Sequence, residues 1–130
     1  MNLIASDVVD RGPIQYTCPL SGFQKLTGGK HKLRIIWALR NGPATNSDLR
    51  RATELYSEFA MAPRVFNREL LLLRASGLIE RKALSVSGRQ TKYCLTDLGM
   101  RLVPLLGDIC GWSLSNLDIA IPKDPDCVDA

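Results

Sequence analysis

Two groups of residues in this sequence carry potential chemistry. The first is sulphur and imidazole: Cys18, Cys94, Cys110, Cys127 and a single histidine, His31. No two cysteines form a C-x-x-C pair, and one histidine does not supply the ligand spacing of a zinc site, so no metal is expected. There is no Ser/His/Asp arrangement, no glycine-rich phosphate loop and no pair of acids in a plausible pocket, so neither an enzyme nor a cofactor is expected. A thiol-dependent activity at Cys18 is the one enzymatic option left. The second group is Arg64, Asn67, Arg68 and Leu71, which share one face if their segment is helical. Arginine donates two hydrogen bonds to guanine, asparagine pairs with adenine, and leucine can touch a thymine methyl group. A solvated helix face is the plain alternative.

These side chains need elements to hold them. Residues 1–17 contain Gly12-Pro13 and read as an N-terminal arm. Leu20, Phe23 and Leu26 suggest a short helix from Cys18 to Leu26, broken by Thr27-Gly28-Gly29. Lys30 to Arg40 reads as a helix with Leu33, Ile36 and Trp37 on one face; Asn41-Gly42-Pro43 stops it. A third helix starts at Thr45 or Asn46, with Thr45 and Asp48 resembling a capping box. The stretch from Glu54 to Met61 is ambiguous. Ala62-Pro63 opens the next helix, with proline at its first position. Phe66, Leu70 and Leu73 form its buried face, opposite Arg64, Asn67, Arg68 and Leu71, and Gly77 ends it.

The period then changes. Leu78 to Leu84 and Gln90 to Leu95 read as two strands around a Ser87-Gly88 turn, making a β-hairpin. Thr96 caps a last helix. Its Leu98, Leu102, Leu105, Ile109 and Trp112 repeat by four and three, the spacing of a helix–helix seam, with a kink expected at Pro104. Core packing within the chain is the alternative for that stripe. Residues 113–130 read as an acidic tail, and residues 18–112 as one domain.

The order of three helices, a hairpin and a helix is that of a winged helix-turn-helix, mostly α with a small β-hairpin (α+β). In such a fold one helix enters the major groove and the preceding helix braces it. The helix from Pro63 to Ser76 suits the reading role. The hairpin, or wing, offers Arg89, Gln90 and Lys92. Lys30, Lys32, Thr45, Ser47, Arg50 and Arg51 are candidates for the DNA backbone. Charge agrees: Lys25 to Arg101 holds 15 Lys or Arg against 6 Asp or Glu, between ends that are net negative. A basic middle in a chain of net charge +4 points to a polyanionic partner, or to a solvated basic surface. With 45% hydrophobic and 23% charged residues the composition is globular. No apolar run approaches membrane-spanning length and the first ten residues lack a basic end, so a cytoplasmic protein with no membrane partner is expected. That setting argues against structural disulfides.

Several stretches resemble the HxlR-type winged helix-turn-helix regulators, relatives of the MarR group. They are Cys18-Pro19-Leu20, Gly28-Gly29-Lys30, Asn41-Gly42-Pro43, Ser47-Asp48-Leu49-Arg50-Arg51, Gly77-Leu78-Ile79-Glu80-Arg81, Tyr93-Cys94-Leu95-Thr96-Asp97-Leu98-Gly99 and Leu102-Val103-Pro104-Leu105-Leu106 through Trp112. The resemblance spans Cys18 to Trp112. It implies a homodimer, joined through its first and last helices, on double-stranded DNA at an inverted-repeat operator. The resemblance implies that nearby genes are repressed or activated, with repression the expected sense. It also places Cys18 where some members sense oxidants or electrophiles, which needs an exposed, low-pKa thiolate. A small structural residue is the alternative for Cys18, and the effector is unassigned. Cys94 and Cys110 read as packed; Cys127 is a resolving thiol or incidental.

The chain departs from the pattern in four places. His31 stands where a tryptophan is usual, and Asn46 where an aromatic is usual. The segment from Arg51 to Met61 is longer by about four residues. Gly88-Arg89 replaces paired prolines in the wing. A second function class therefore stays open: a winged-helix protein-interaction module without sequence-specific DNA binding, favoured by the extra residues and by Leu71 and Leu72 on the reading face.

Overall fold

The core is built around one helix. In a computed structural model, which describes residues 17–54, 61–83 and 91–120, Ile35, Ile36, Trp37 and Leu39 are all buried. They belong to α2 (Lys32–Ala38) and its C-cap, so this helix is apolar on most of its circumference and sits in the middle of the domain. Before it comes α1 (Pro19–Thr27), with Pro19 in its first turn. After it come α3 (Asn46–Glu54) and α4 (Pro63–Ala75).

Helix boundaries follow local chemistry. Thr45 Oγ1 accepts the Asp48 amide at 3.2 Å, half of the expected capping box. The other half is absent, because the Asp48 carboxylate pairs with Arg51 at 2.7 Å. Pro63 opens α4 where its missing N–H has no helical partner to lose. At the far end Gly77, at φ +77°, takes the left-handed conformation. Its amide donates to the Arg74 carbonyl and that of Leu78 to Leu73, the two bonds of a Schellman stop.

The hairpin pairs β1 (Ile79–Ala83) with β2 (Thr91–Leu95), antiparallel, from Ile79 opposite Leu95 to Ala83 opposite Thr91. Ile79, Tyr93 and Leu95 turn toward the core. The Tyr93 amide and carbonyl also close two bonds with Ala44, at 2.8 and 3.0 Å, tying the hairpin to the turn before α3.

Thr96 caps α5 (Asp97–Met100) by accepting the Gly99 amide at 3.1 Å. The last helix is not continuous. It breaks at Arg101, and α6 (Leu102–Asn116) takes over from there. The expected kink thus falls three residues before Pro104, because a proline there has no N–H for the Met100 carbonyl and its ring crowds that group. The helix runs on to Asn116, beyond the end read from the sequence. It packs on α2 through Leu106 and the partly buried Val103 and Cys110. None of the described helices is long and apolar enough to cross a membrane.

Candidate nucleic-acid interface

Helix α4 is fixed by one side and open on the other. Phe66, Leu70 and Leu73 are buried. Arg64, Asn67, Arg68 and Leu71 are exposed, as their spacing predicts. Among the described residues neither arginine has an ion-pair partner, so both guanidinium groups are available. Leu71 is 62% exposed. Asn67 does have a partner: its Oδ1 accepts from Asn46 Nδ2, on α3, at 2.9 Å. The two helices are thereby joined on the side that carries the arginines.

A second link orients α4 from below. Lys32 Nζ meets Glu69 Oε2 at 2.7 Å, with side chains only 13% and 14% exposed, and donates to the Gly28 carbonyl at 3.1 Å. Lys32 was expected at the DNA backbone. It is instead committed to an internal ion pair, because Glu69 sits one step round α4 from the outer face and needs a cation. Sequence spacing alone carried no signal for this pair, since its partners lie on different helices.

The remaining backbone candidates divide by exposure. Lys30, Ser47 and Arg51 are exposed, while Thr45 and Arg50 are half-buried. Thr45 spends its hydroxyl oxygen on the cap. On the hairpin, Lys92 is half-buried and opposite Lys82, and Lys82 pairs with Glu80 at 3.1 Å. With Arg81, these leave the stem basic. Arg89 and Gln90 lie outside the described residues.

Cys18 stands at the N-cap of α1 in extended conformation. The backbone amide of Ser21, then that of Leu20, favours its thiolate and holds its pKa below the ordinary thiol range. Cys94 goes the other way. Burial, then a 3.6 Å contact with the Glu80 carboxylate, pushes its thiol up. Cys18 and Cys94 are free thiols and Cys110 is half-buried; Cys127 lies outside the described residues. His31 is half-buried at the head of α2, its Nδ1 buried without a hydrogen-bond partner among the described residues. No group of three or more His, Cys, Asp or Glu among the described residues is placed to hold a metal.

The last helix divides the predicted stripe. Leu98 and Leu102 are partly buried against their own core. Leu105, Ile109 and Trp112 are 50%, 44% and 62% exposed and share one face of α6. Leu20 on α1, at 75%, and Leu117, just past α6, are exposed as well; the sequence pattern singled out neither as surface.

A braced helix with a basic outer face, a preceding helix bonded to it and a hairpin tied to both define a winged helix-turn-helix. The family profile of the HxlR-like helix-turn-helix matches residues 26–120. The chain belongs to that family of DNA-binding transcriptional regulators. It is 30% identical over 98 residues to the HTH-type transcriptional regulator YkvN of Bacillus subtilis (strain 168), covering 75% of this chain and 79% of that one. It is 29% identical over 103 residues to an HTH-type transcriptional regulator of Methanothermobacter thermautotrophicus, covering 79% and 75%. Among solved structures, a MarR-family regulator from Porphyromonas gingivalis W83 superposes with a TM-score of 0.67 at 25% identity, covering 81% of this chain and 98% of that one. The redox regulator HypR in its oxidized form shares the fold with a TM-score of 0.67 at 24% identity, covering 78% and 100%.

Proposed function

We propose that the chain is a homodimeric repressor that reads an inverted-repeat operator, with α4 in the major groove and the hairpin against adjacent phosphates. The observation that carries this reading is the face of Arg64, Asn67, Arg68 and Leu71. It is exposed, free of acidic partners among the described residues and held on a helix whose opposite side is buried. Arginine forks suit guanine edges, and the neighbouring Lys30, Ser47, Arg50 and Arg51 suit phosphates. The face of Leu105, Ile109 and Trp112, with Leu20, is the dimer surface in this reading, since apolar side chains of this size are covered in a stable assembly. Cys18, with its lowered pKa, is the group that an oxidant or electrophile would reach first; a neighbour of the same fold is a redox regulator.

The test is selection from a pool of genomic fragments by the purified, reduced protein. Recovery of a two-fold symmetric motif, with half-sites about 34 Å apart, supports the reading. Recovery of no motif sinks it. The exposure of Leu71, and of Val65 and Leu72 at 40% each, favours a second reading, a module that binds protein. Salt separates the two, because phosphate contacts release counterions and DNA affinity falls steeply with added salt.

A further inference from the structure

We propose that Asn46 is a specificity-determining positioning residue, acting through Asn67 without touching a base itself. This rests on the DNA-reading role of α4. Asn46 stands at the first turn of α3 and is half-buried; Asn67 is exposed on the outer face of α4, between Arg64 and Arg68. Asn46 Nδ2 donates to Asn67 Oδ1 at 2.9 Å.

A carboxamide has two chemically opposite ends, an acceptor oxygen and a donor NH2. An unrestrained asparagine offers both to adenine, accepting from N6 and donating to N7. In this chain the oxygen is engaged from the side by the Asn46 NH2, so the Asn67 amide can turn over only if that of Asn46 turns with it and accepts instead of donating. With Asn46 donating, as it does here, the NH2 end of Asn67 is left to face the groove. It selects bases that present acceptors there: guanine through N7 and O6, adenine through N7 and thymine through O4. Cytosine, whose major-groove edge presents the N4 donor, is rejected on the contacted strand. Asn46 thereby sets the sense of recognition at one base pair, and Arg64 and Arg68 read their own positions independently of it.

Two substitutions test this in opposite directions. Asn46→Ala frees the Asn67 amide. Asn46→Asp replaces the donor with an acceptor, so Asn67 must donate NH2 sideways and turn its oxygen to the groove. An acidic residue in the first turn of a helix is favourable, so the aspartate variant keeps the fold. The experiment is quantitative selection of bound sites with wild type, both variants, and each variant combined with Asn67→Ala. With wild type, cytosine is expected to be disfavoured roughly fivefold or more at one position of each half-site, the scale of one net hydrogen bond. Asn46→Ala should flatten that position and leave the others unchanged. Asn46→Asp should move its preference to the donor-bearing bases cytosine and adenine. In the Asn67→Ala background neither change should alter the base profile. A clear wild-type motif whose profile is the same in both Asn46 variants overturns the inference and leaves the DNA reading standing. So does a uniform loss of affinity with no change at any single position. The absence of any wild-type motif overturns both.

Discussion

Replacing Trp112 by alanine should split the proposed dimer and leave the subunit folded. The indole is 62% exposed on α6 and contributes nothing to the buried core of its own chain. A tryptophan offers up to about 250 Å², so roughly 150 Å² of it faces solvent here. Covering that area fully would be worth about 4 kcal/mol at 25 cal/mol per Å². Imperfect coverage and the ordering of the interface reduce this by half or more, to about 2 kcal/mol per subunit. A two-fold interface uses the residue twice. Trp112→Ala should therefore raise the dimer dissociation constant by on the order of 10³-fold, about 4 kcal/mol. Sedimentation equilibrium over a dilution series reads the constant directly, and far-ultraviolet circular dichroism checks that the helices remain. An unchanged constant, or a wild-type protein that is monomeric at every concentration, would refute the assignment of this face.

The geometry sets three further outcomes. Gly99 lies under the Leu78 carbonyl, which a β-carbon at position 99 would strike; Gly99→Ala should cost about 1–3 kcal/mol of stability, read by urea unfolding. Glu69→Gln leaves the nearly buried Lys32 ammonium without its counter-charge and should cost about 2 kcal/mol and loosen α4. Replacing both residues by apolar ones of similar size should cost less than the single change. The rate of Cys18 alkylation should rise with pH through a midpoint below the ordinary thiol range, because the helix-start amides favour the thiolate, whereas Cys94 should titrate above it; mass spectrometry of modified peptides separates the two.

What could be read from the sequence was what repeats along one element. The buried and exposed faces of α4 come from spacings of three and four, and its ends from Pro63 and Gly77, so both were legible. The hairpin strands were legible from a change of period; among the described residues they run Ile79–Ala83 and Thr91–Leu95. Partnerships between elements were not legible. The Lys32–Glu69 pair joins residues far apart in the chain, and no local rule distinguishes a lysine that will meet phosphate from one that will meet a glutamate. Asn46 was visible only as an unexpected residue before Ser47; its meaning needed the position of Asn67. The division of the last stripe also needed the structure, because the repeat marks Leu102 and Leu105 alike although only the first packs on the core.

The pair of main-chain bonds between Ala44 and Tyr93 has a consequence for how such a protein could be rewritten. It places β2 between β1 and the turn that launches α3, so the spacing of hairpin and helices is set by amides and carbonyls common to nearly every residue type. A side chain at 64 or 68 can then be exchanged without altering the frame that presents it. Only a proline at 44 or 93 would remove a donor from that joint. The frame and the message it carries are thus held by different atoms, and the message can change while the frame stays in register.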